Sequence, residues 1–224
     1  MPGPIGFALE IARRAGSAVG ALARKPGTPT PVPPEERAQR AARALAGLRG
    51  YYGLGAGGRD PSAALPWGAY QPRKGEAADQ VERRRGLGPV WCDCSGAVSW
   101  VLGVPRRIPG YARGWDYLST DGLIRDADDP AVELVRWIEP GEPVAPWQAL
   151  VVYGSQDLDG DGDRDTIGHV GAVSAVPEGW NYTGPASLEA LSVWHCAASP
   201  SPTGAIRVSS GRPWRRVGRL VAIV

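Results

Sequence analysis

Cysteine and histidine are the side chains of this sequence best suited to nucleophilic and proton-transfer chemistry near neutral pH, and both are scarce. The chain contains three cysteines and two histidines. A thiol attacks as its thiolate, and a neutral imidazole is the group that most often removes such a proton. A cysteine and a histidine that the fold brings together would therefore form a nucleophile with its general base.

Two of the cysteines lie in the stretch 91–98, which reads WCDCSGAV. Aspartate is a preferred N-cap, so Asp93 predicts a helix whose first turn contains Cys94. Unpaired N–H groups and the positive end of the helix dipole lower the pKa of a thiol at such a position, and we expect an activated Cys94. The small residues at 95–97 leave room for a substrate. The alternative is a buried, unreactive cysteine.

The two histidines lie in segments that have the pattern of β-strands. His169 opens the run HVGAVSAV, where a neutral imidazole would accept the proton of Cys94. His195 lies in SVWHCAAS, where the alternation of a strand points it to the opposite face from its neighbour Cys196. On an adjacent strand, His195 would orient the imidazole of His169 as the third member of a Cys–His–His triad.

Helices are predicted in the first part of the chain and antiparallel strands in the later part, which indicates an α+β fold. We expect one helix from 34–36, where proline and two glutamates suit a first turn, to Gly50. A shorter helix is expected over 94–102, and the Gly- and Pro-rich stretch 53–90 is expected to be irregular. The strand candidates are 149–153, 169–176, 191–197, 205–208 and 216–224.

The N-terminal part is expected to form a separate arm. Residues 5–24 have the apolar spacing of an amphipathic helix, and the stretch 25–36, KPGTPTPVPPEE, has the composition of a stiff linker. We therefore divide the chain into an arm with its linker, 1–34, and a larger domain, 35–224. The arm would dock on its own domain or on a partner protein. A membrane surface is the alternative, but the Ala-rich stripe is weak.

Length, charge and composition limit the class of protein. The 224 residues, with a mass of 23.6 kDa, suffice for one domain with a sizeable core. Lys and Arg total 25 and Asp and Glu total 23, a net charge of +2, which argues against nucleic acid as a partner. No apolar run approaches the roughly 20 residues of a membrane span. The odd number of cysteines argues against a disulfide framework.

Two motifs together resemble the NlpC/P60 family of cell-wall cysteine peptidases, DCSG at 93–96 and GHVG at 168–171. The segment YYGLGAGG at 51–58 is similar to the aromatic and Gly-rich segment that precedes the family's cysteine. The segment EPGEPVAPWQALVVY at 139–153 is similar to the family's strand before the histidine. The resemblance implies a papain-like α+β fold, in which N-terminal helices pack on an antiparallel sheet and the nucleophilic cysteine stands at a helix N-terminus.

The resemblance also implies a catalytic triad. Cys94 corresponds to the nucleophile, His169 to the general base and His195 to the third polar residue. His195 follows His169 by 26 positions, which is a longer gap than the family usually shows. Strict counting selects Asn181 instead. We favour His195, because it lies in a predicted strand whereas the residues around Asn181 read as a loop.

Substrate-binding residues and a function follow from the same resemblance. Tyr52 resembles a tyrosine of the substrate cleft, and Asp93 and Ser95 match positions that cap the helix and shape the cleft. The family hydrolyses amide bonds in peptidoglycan stem peptides, commonly the γ-D-glutamyl–diaminopimelate bond, by chemistry that requires no cofactor. The alternatives are an N-acetylmuramoyl-L-alanine amidase or an acyltransferase of the same fold, and a catalytically silent cell-wall-binding module.

The implied partner, bacterial peptidoglycan, predicts that the protein acts in the cell wall or periplasm. The N-terminal sequence MPGPIGFALEIARRAG lacks the order of basic and apolar residues of a standard secretory signal. We therefore expect a phage-delivered or virion-associated protein, or one exported by a specialised system. The arm would then dock on a phage tail or on secretion machinery.

An acidic segment, DLDGDGDRD at 157–165, ends shortly before His169. It has the spacing with which a calcium loop begins, with oxygen ligands at positions 1, 3 and 5, glycine at 6 and an acid at 9. The glutamate expected at position 12 is replaced by Gly168, so the segment predicts a weak structural Ca²⁺ site, and a solvated acidic loop is the alternative. The candidate ligands are Asp157, Asp159, Asp161, Asp163 and Asp165.

A zinc site is a rival use of the same soft ligands. It would combine Cys92, Cys94, His195 and Cys196. We disfavour it, because this spacing is unusual for zinc and because adjacent residues of a strand point to opposite faces.

Overall fold

The computed structural model describes residues 27–47, 50–129, 131, 134–156, 167–198 and 204–224. The predicted arm helix and the acidic segment lie outside the described residues, so the docking of the arm and the calcium site stay predictions. The described residues form a mixed α+β structure with an antiparallel sheet and several helices, as the order of the predicted elements indicates. Within these ranges, no helix is long and apolar enough to span a membrane.

The helical segments of the described chain are irregularly spaced and short. The α-helices are α1 (Pro34–Ala46), α2 (Ala78–Arg85), α3 (Cys94–Leu102) and α4 (Thr120–Ala127). A left-handed turn occupies Tyr111–Gly114, and two 3₁₀-helices occupy Pro185–Ala190 and Arg212–Trp214.

The strands form one small pair and one main sheet. The strands of the pair are β1 (Tyr51–Tyr52) and β2 (Trp91–Cys92), which run parallel. The strands of the main sheet are β3 (Val135–Trp137), β4 (Ala149–Tyr153), β5 (His169–Ala175), β6 (Ser192–Cys196), β7 (Ile206–Ser210) and β8 (Arg219–Ile223). They are antiparallel in the order β3-β8-β4-β5-β6-β7, so β6 lies between β5 and the edge strand β7.

The main sheet is covered on both faces. All residues of α3 are buried, and the helix packs on the face that carries Val170 and Trp194. The opposite face carries Val173 and Val193 and is covered by Trp214. Because successive residues of a strand point to opposite faces, neighbouring residues of β5 and β6 belong to different hydrophobic cores.

Local sequence signals set both ends of α3. The Asp93 carboxylate accepts a hydrogen bond from the Gly96 N–H at 2.7 Å, which is the N-cap predicted from the sequence. At the other end, Gly103 has the left-handed φ of 70° that suits a C-cap. The N–H of Val32 donates to the Leu102 carbonyl oxygen at 2.8 Å, so the end of the predicted linker packs against this helix.

The predictions agree with the structure best where elements are buried. The helix predicted at 94–102 and the strand predicted at 149–153 have the observed bounds, and the other four strand candidates overlap β5, β6, β7 and β8. Buried elements carry the apolar periodicity on which such predictions depend.

The predictions fail where an element is polar or short. The expectation that 53–90 is irregular is wrong for α2, which has no buried residue and hence no apolar stripe to reveal it. The first helix ends before Gly50, because Gly47 already has an extended backbone conformation. The sequence analysis also missed α4 and the three-residue strand β3.

A buried ion pair joins the start of α3 to the loop that follows the helix. Asp93 and Arg106 are 2% and 3% exposed, and their Oδ2 and Nη2 atoms are 2.5 Å apart. The guanidinium also donates to the Ala56 carbonyl oxygen at 2.7 Å and to the Ser95 hydroxyl at 3.0 Å. Asp93 further accepts the Gly55 N–H at 2.6 Å. These hydrogen bonds make two buried charges tolerable.

Removing one member of this pair should be costly. We expect Arg106→Ala to lower the free energy of unfolding in urea by about 3–5 kcal/mol, because the Asp93 carboxylate stays buried without its counterion. The control is Arg83→Ala, since Arg83 and its partner Asp79 have side chains that are 75% and 72% exposed. That variant should lose less than about 1 kcal/mol. Equal losses in the two variants would contradict the role assigned to the buried pair.

Candidate active site

Cys94 is the first residue of α3, and only 3% of its surface is exposed. The backbone N–H groups of Ser95 and Val170 lie close enough to its sulfur to lower the pKa of the thiol, and the Tyr52 hydroxyl lies close enough for the thiol to raise the pKa of the phenol. Val170 follows His169 at the start of β5. The first turn of α3 and the first residues of β5 therefore meet at the sulfur atom.

Burial determines the protonation state of this thiol. It raises the pKa of Cys94 to about 12, and the charge of Asp93 acts in the same direction. The hydrogen bonds from Val170 and Ser95 and the charge of Arg106 lower the pKa, but by less. The expectation that the helix start activates Cys94 by lowering its pKa is therefore wrong. At neutral pH the thiol keeps its proton until a base removes it.

The two histidines form a hydrogen-bonded pair with a serine behind them. Nε2 of His169 and Nδ1 of His195 are 2.8 Å apart. Nε2 of His195 lies 2.8 Å from the hydroxyl oxygen of Ser209, and this hydroxyl donates to the Ser210 carbonyl oxygen at 3.2 Å. The chain of contacts therefore runs from β5 through β6 to the edge strand β7.

This pattern of hydrogen bonds favours one tautomer of each ring. Because the Ser209 hydroxyl donates its proton to a carbonyl oxygen, it accepts the Nε2–H of His195. Nδ1 of His195 is then an acceptor, and Nε2–H of His169 is its donor. Nδ1 of His169 is left with a free lone pair, which is the form that a general base requires.

Trp214 covers the imidazole pair. Its ring stacks on His169 with centroids 5.1 Å apart, and it meets His195 edge-on at 5.2 Å. Burial, helped by the charge of Arg207, lowers the pKa of His169 to about 4. Burial, the neighbouring His169 and Arg207 lower the pKa of His195 to about 3. Both rings are therefore neutral at neutral pH.

Within the described residues, no hydrogen bond joins the Cys94 thiol to either imidazole, although α3 packs on β5. Cys94 belongs to the core on the α3 side of the sheet, whereas the two rings lie on the Trp214 side. The Val170 N–H, one residue away from His169, is the part of β5 that acts on the thiol, since it lowers the pKa of Cys94. Tyr153 lies beside both groups, with its ring centroid 6.3 Å from that of His169 and its pKa raised by burial and by Cys94.

Three other predicted site residues surround this centre in different ways. Tyr52 lies next to the thiol, which raises the pKa of its phenol, and its role in a substrate cleft stays a prediction. Asp93 and Ser95 are buried beneath Cys94, where they bind Arg106 and the Gly96 N–H. They organise the helix start from below, and their contact with substrate stays a prediction.

The structure favours His195 over Asn181 as the partner of His169. Asn181 is exposed in the loop before the first 3₁₀-helix, whereas His195 is 2% exposed and bonded to His169. The predicted alternation of β6 is confirmed, because Cys196 lies in the α3-side core and donates to the Cys92 carbonyl oxygen at 3.3 Å. His195 and Cys196 thus point to opposite faces, which argues against a zinc site that combines them.

The cysteines and histidines of the site do not form a metal-binding group in the described part of the chain. Among the residues that the structure describes, no three His, Cys, Asp or Glu side chains form a group that could hold a metal ion. The sequence analysis missed Ser209, Trp214 and Arg207. Little in the sequence could have revealed these three residues, because each of them acts on a histidine that is distant in the chain. The alternation of β7 is the one pattern that indicates which of its side chains share a face with His195.

The site defines the protein as an α+β protein with a thiol at a helix start beside a buried imidazole pair. No protein-family model, no curated protein and no solved structure matches the chain. The family resemblance therefore rests on the motif residues alone.

Acidification should destabilise the protein through its two histidines. Because their pKa values are lower in the folded chain than the ordinary value of 6.5, only the unfolded chain takes up protons as the pH falls from 6.5 toward 4. The free energy of unfolding should therefore fall over this range. It should fall less in the His169→Gln/His195→Gln variant, whose unfolded state lacks both proton acceptors.

The measurement is urea unfolding at pH 7 and pH 5 for both proteins. Carboxylates also titrate at acidic pH, so the difference between the two proteins is the informative quantity. Imidazole proton NMR provides an independent check, because the chain has only two histidines. Parallel stability profiles, or a ring that titrates near pH 6.5, would contradict the neutral buried pair.

Proposed function

We propose that this protein is a cysteine peptidase of the NlpC/P60 type, with a papain-like fold, that hydrolyses an amide bond in peptidoglycan stem peptides. The observation that carries the proposal is the hydrogen-bonded chain from His169 through His195 to Ser209, on strands that pack against α3, whose first residue is Cys94. The motif resemblance supplies the substrate class, commonly the γ-D-glutamyl–diaminopimelate bond.

The proposed reaction begins with transfer of the thiol proton. Nδ1 of His169 takes the proton of Cys94 as the sulfur attacks the carbonyl carbon of the scissile amide. His195 accepts the Nε2–H of the resulting imidazolium and keeps the ring in place. N–H groups at the start of α3 would stabilise the oxyanion of the tetrahedral intermediate.

Collapse of this intermediate breaks the C–N bond. The leaving amine takes the proton from His169, and the acyl group stays on Cys94 as a thioester. Water, which gives a proton to the neutral His169, then attacks the thioester. This second step releases the carboxylic acid and restores the thiol.

The protonation states favour a concerted first step. The pKa of Cys94 is about 12 and that of His169 about 4, so proton transfer is strongly unfavourable in the empty site. The proton must therefore move while the new C–S bond forms, as in general-base catalysis. The site therefore holds a neutral thiol and a neutral imidazole before substrate binds.

The protein would act on the bacterial cell wall, with delivery by a phage, within a virion or through specialised export.

Loss of the nucleophile should abolish hydrolysis without loss of the fold. We expect Cys94→Ala to lower the rate of release of muropeptides from purified sacculi by at least about 1,000-fold. The matched controls are Cys92→Ala and Cys196→Ala, because both cysteines are buried nearby and neither begins α3. These variants should keep most of the wild-type rate.

Mass spectrometry of the released fragments identifies the bond, and circular dichroism confirms the fold of each variant. Cleavage at lactyl–L-alanine would select the amidase alternative, and a new acyl linkage would select the acyltransferase. Wild-type hydrolysis by Cys94→Ala would disprove the proposed nucleophile, as would an inactive Cys92→Ala beside an active Cys94→Ala.

Substitutions along the hydrogen-bonded chain His169–His195–Ser209 should lower kcat to different degrees. His195→Ala should lower kcat by about 100-fold, because an orienting group contributes less than the base. Ser209→Ala should lower kcat by less, with KM unchanged, and Ser209→Thr should restore it because the hydroxyl is kept. Asn181→Ala should retain wild-type kcat, since this residue is exposed in a loop. A larger loss in Asn181→Ala than in His195→Ala would overturn the assignment of the third residue.

A further inference from the structure

A cavity of about 500 Å³ opens at the edge of the main sheet, directly beside the imidazole pair. The side chains that matter in its lining are His195, Ser209, Arg207, Arg212, Arg215 and Arg216. Arg207 on β7 is the cross-strand partner of His195, so the arginine group begins at the neighbour of that ring. We name this cavity the arginine pocket.

The positive charge of the arginine pocket is largely uncompensated. Arg215 pairs with Glu189 at 3.2 Å, across an exposed contact. For Arg207, Arg212 and Arg216, no carboxylate partner occurs within the part of the chain that the structure describes. None of the described residues that line the pocket is acidic. Four guanidinium groups around one cavity repel one another, and an anion bound among them would relieve this repulsion.

We propose that the arginine pocket binds an oxyanion, a carboxylate or a phosphate, next to the imidazole of His195. A guanidinium is planar and presents two parallel N–H donors, which match the oxygen pairs of both groups. The cavity is larger than one small ion requires, so it has room for the molecule that carries the oxyanion. Anion binding by the pocket does not depend on the proposed function. Only the idea that the substrate carries the oxyanion rests on it.

A bound anion would also act on the reaction. Arg207 disfavours protonation of both rings, as its effect on the pKa values of His169 and His195 indicates. The charges that shift the pKa of His169 are Arg207, which lowers it, and the Asp93 carboxylate, which raises it. Arg212, Arg215 and Arg216 share the lining of the pocket with His195. An anion in the pocket would offset the charge of Arg207 and stabilise the imidazolium that forms when His169 takes the thiol proton.

Calorimetric titration of the full chain tests binding without any need for catalysis. The probes are inorganic phosphate and glutarate at low ionic strength, where ion pairing is least screened. The variant is Arg212→Gln/Arg216→Gln, because both side chains are exposed and their loss should not disturb the core. The matched control is Arg83→Gln/Arg85→Gln on α2, which changes the net charge equally at a distant surface.

We expect wild type and control to bind at least one probe, and the pocket variant to bind it at least about tenfold more weakly. Equal affinity of the pocket variant and the control would overturn the proposal, as would failure of both probes to bind wild type. This outcome is separate from the proposed function. Probe binding together with undiminished hydrolysis by Cys94→Ala would leave the pocket standing and disprove the peptidase.

Hydrolysis kinetics then distinguish the source of the oxyanion. If the substrate carries it, the pocket variant should raise KM by about tenfold for a stem peptide with a free glutamyl α-carboxylate and leave KM unchanged for the α-amidated peptide. If a free ion fills the pocket, KM should be unchanged for both peptides, and added phosphate should raise kcat of wild type but not of the variant. Kinetics of the variant that equal wild type for both peptides, with and without phosphate, would overturn any link between the pocket and the site.

Discussion

The geometry of the candidate site depends on one buried charge pair, Asp93 with Arg106. Asp93 caps α3 and also holds the Gly-rich loop after β1, while Arg106 neutralises the carboxylate and binds a carbonyl oxygen of the same loop. Gly58 in that loop has a φ of 63°, and a Cβ there would lie 2.0 Å from the Gly96 carbonyl oxygen. The loop therefore packs directly on the helix start. Because Cys94 follows Asp93 in the chain, the same contacts fix its sulfur.

Burial is the second constraint, and it acts alike on nucleophile and base. It raises the pKa of Cys94 and lowers the pKa of His169, so both groups are neutral in the empty site. A low-dielectric site that disfavours separated charges at rest strengthens every dipole that stabilises charge during the reaction. The N–H groups of Ser95 and Val170 are such dipoles, since both lower the pKa of Cys94. In the proposed reaction, these N–H groups would stabilise the negative charge that develops only after substrate binds.

The imidazole chain and the arginine pocket form one electrostatic unit. His195 belongs to both, since its Nδ1 accepts a hydrogen bond from His169 and its ring lines the pocket. Ser209 likewise binds His195 and faces the cavity. In a triad whose third member is an aspartate, a fixed negative charge stabilises the imidazolium. In the proposed triad the third member is a neutral histidine beside an arginine, and the proposed anion would supply the compensating negative charge.

The sequence by itself determined the features with local signals. The N-cap and glycine C-cap bound α3, and the two-residue period of β5 and β6 made His195 a partner of His169 although 26 positions separate them. Only the tertiary structure decided the protonation states, the tautomers and the arginine pocket. Burial and Coulomb interactions sum over groups from distant parts of the chain, so the pKa of Cys94 rises although its helix position alone predicts a fall. A polar helix such as α2 likewise has no periodic pattern, because nothing on it is buried.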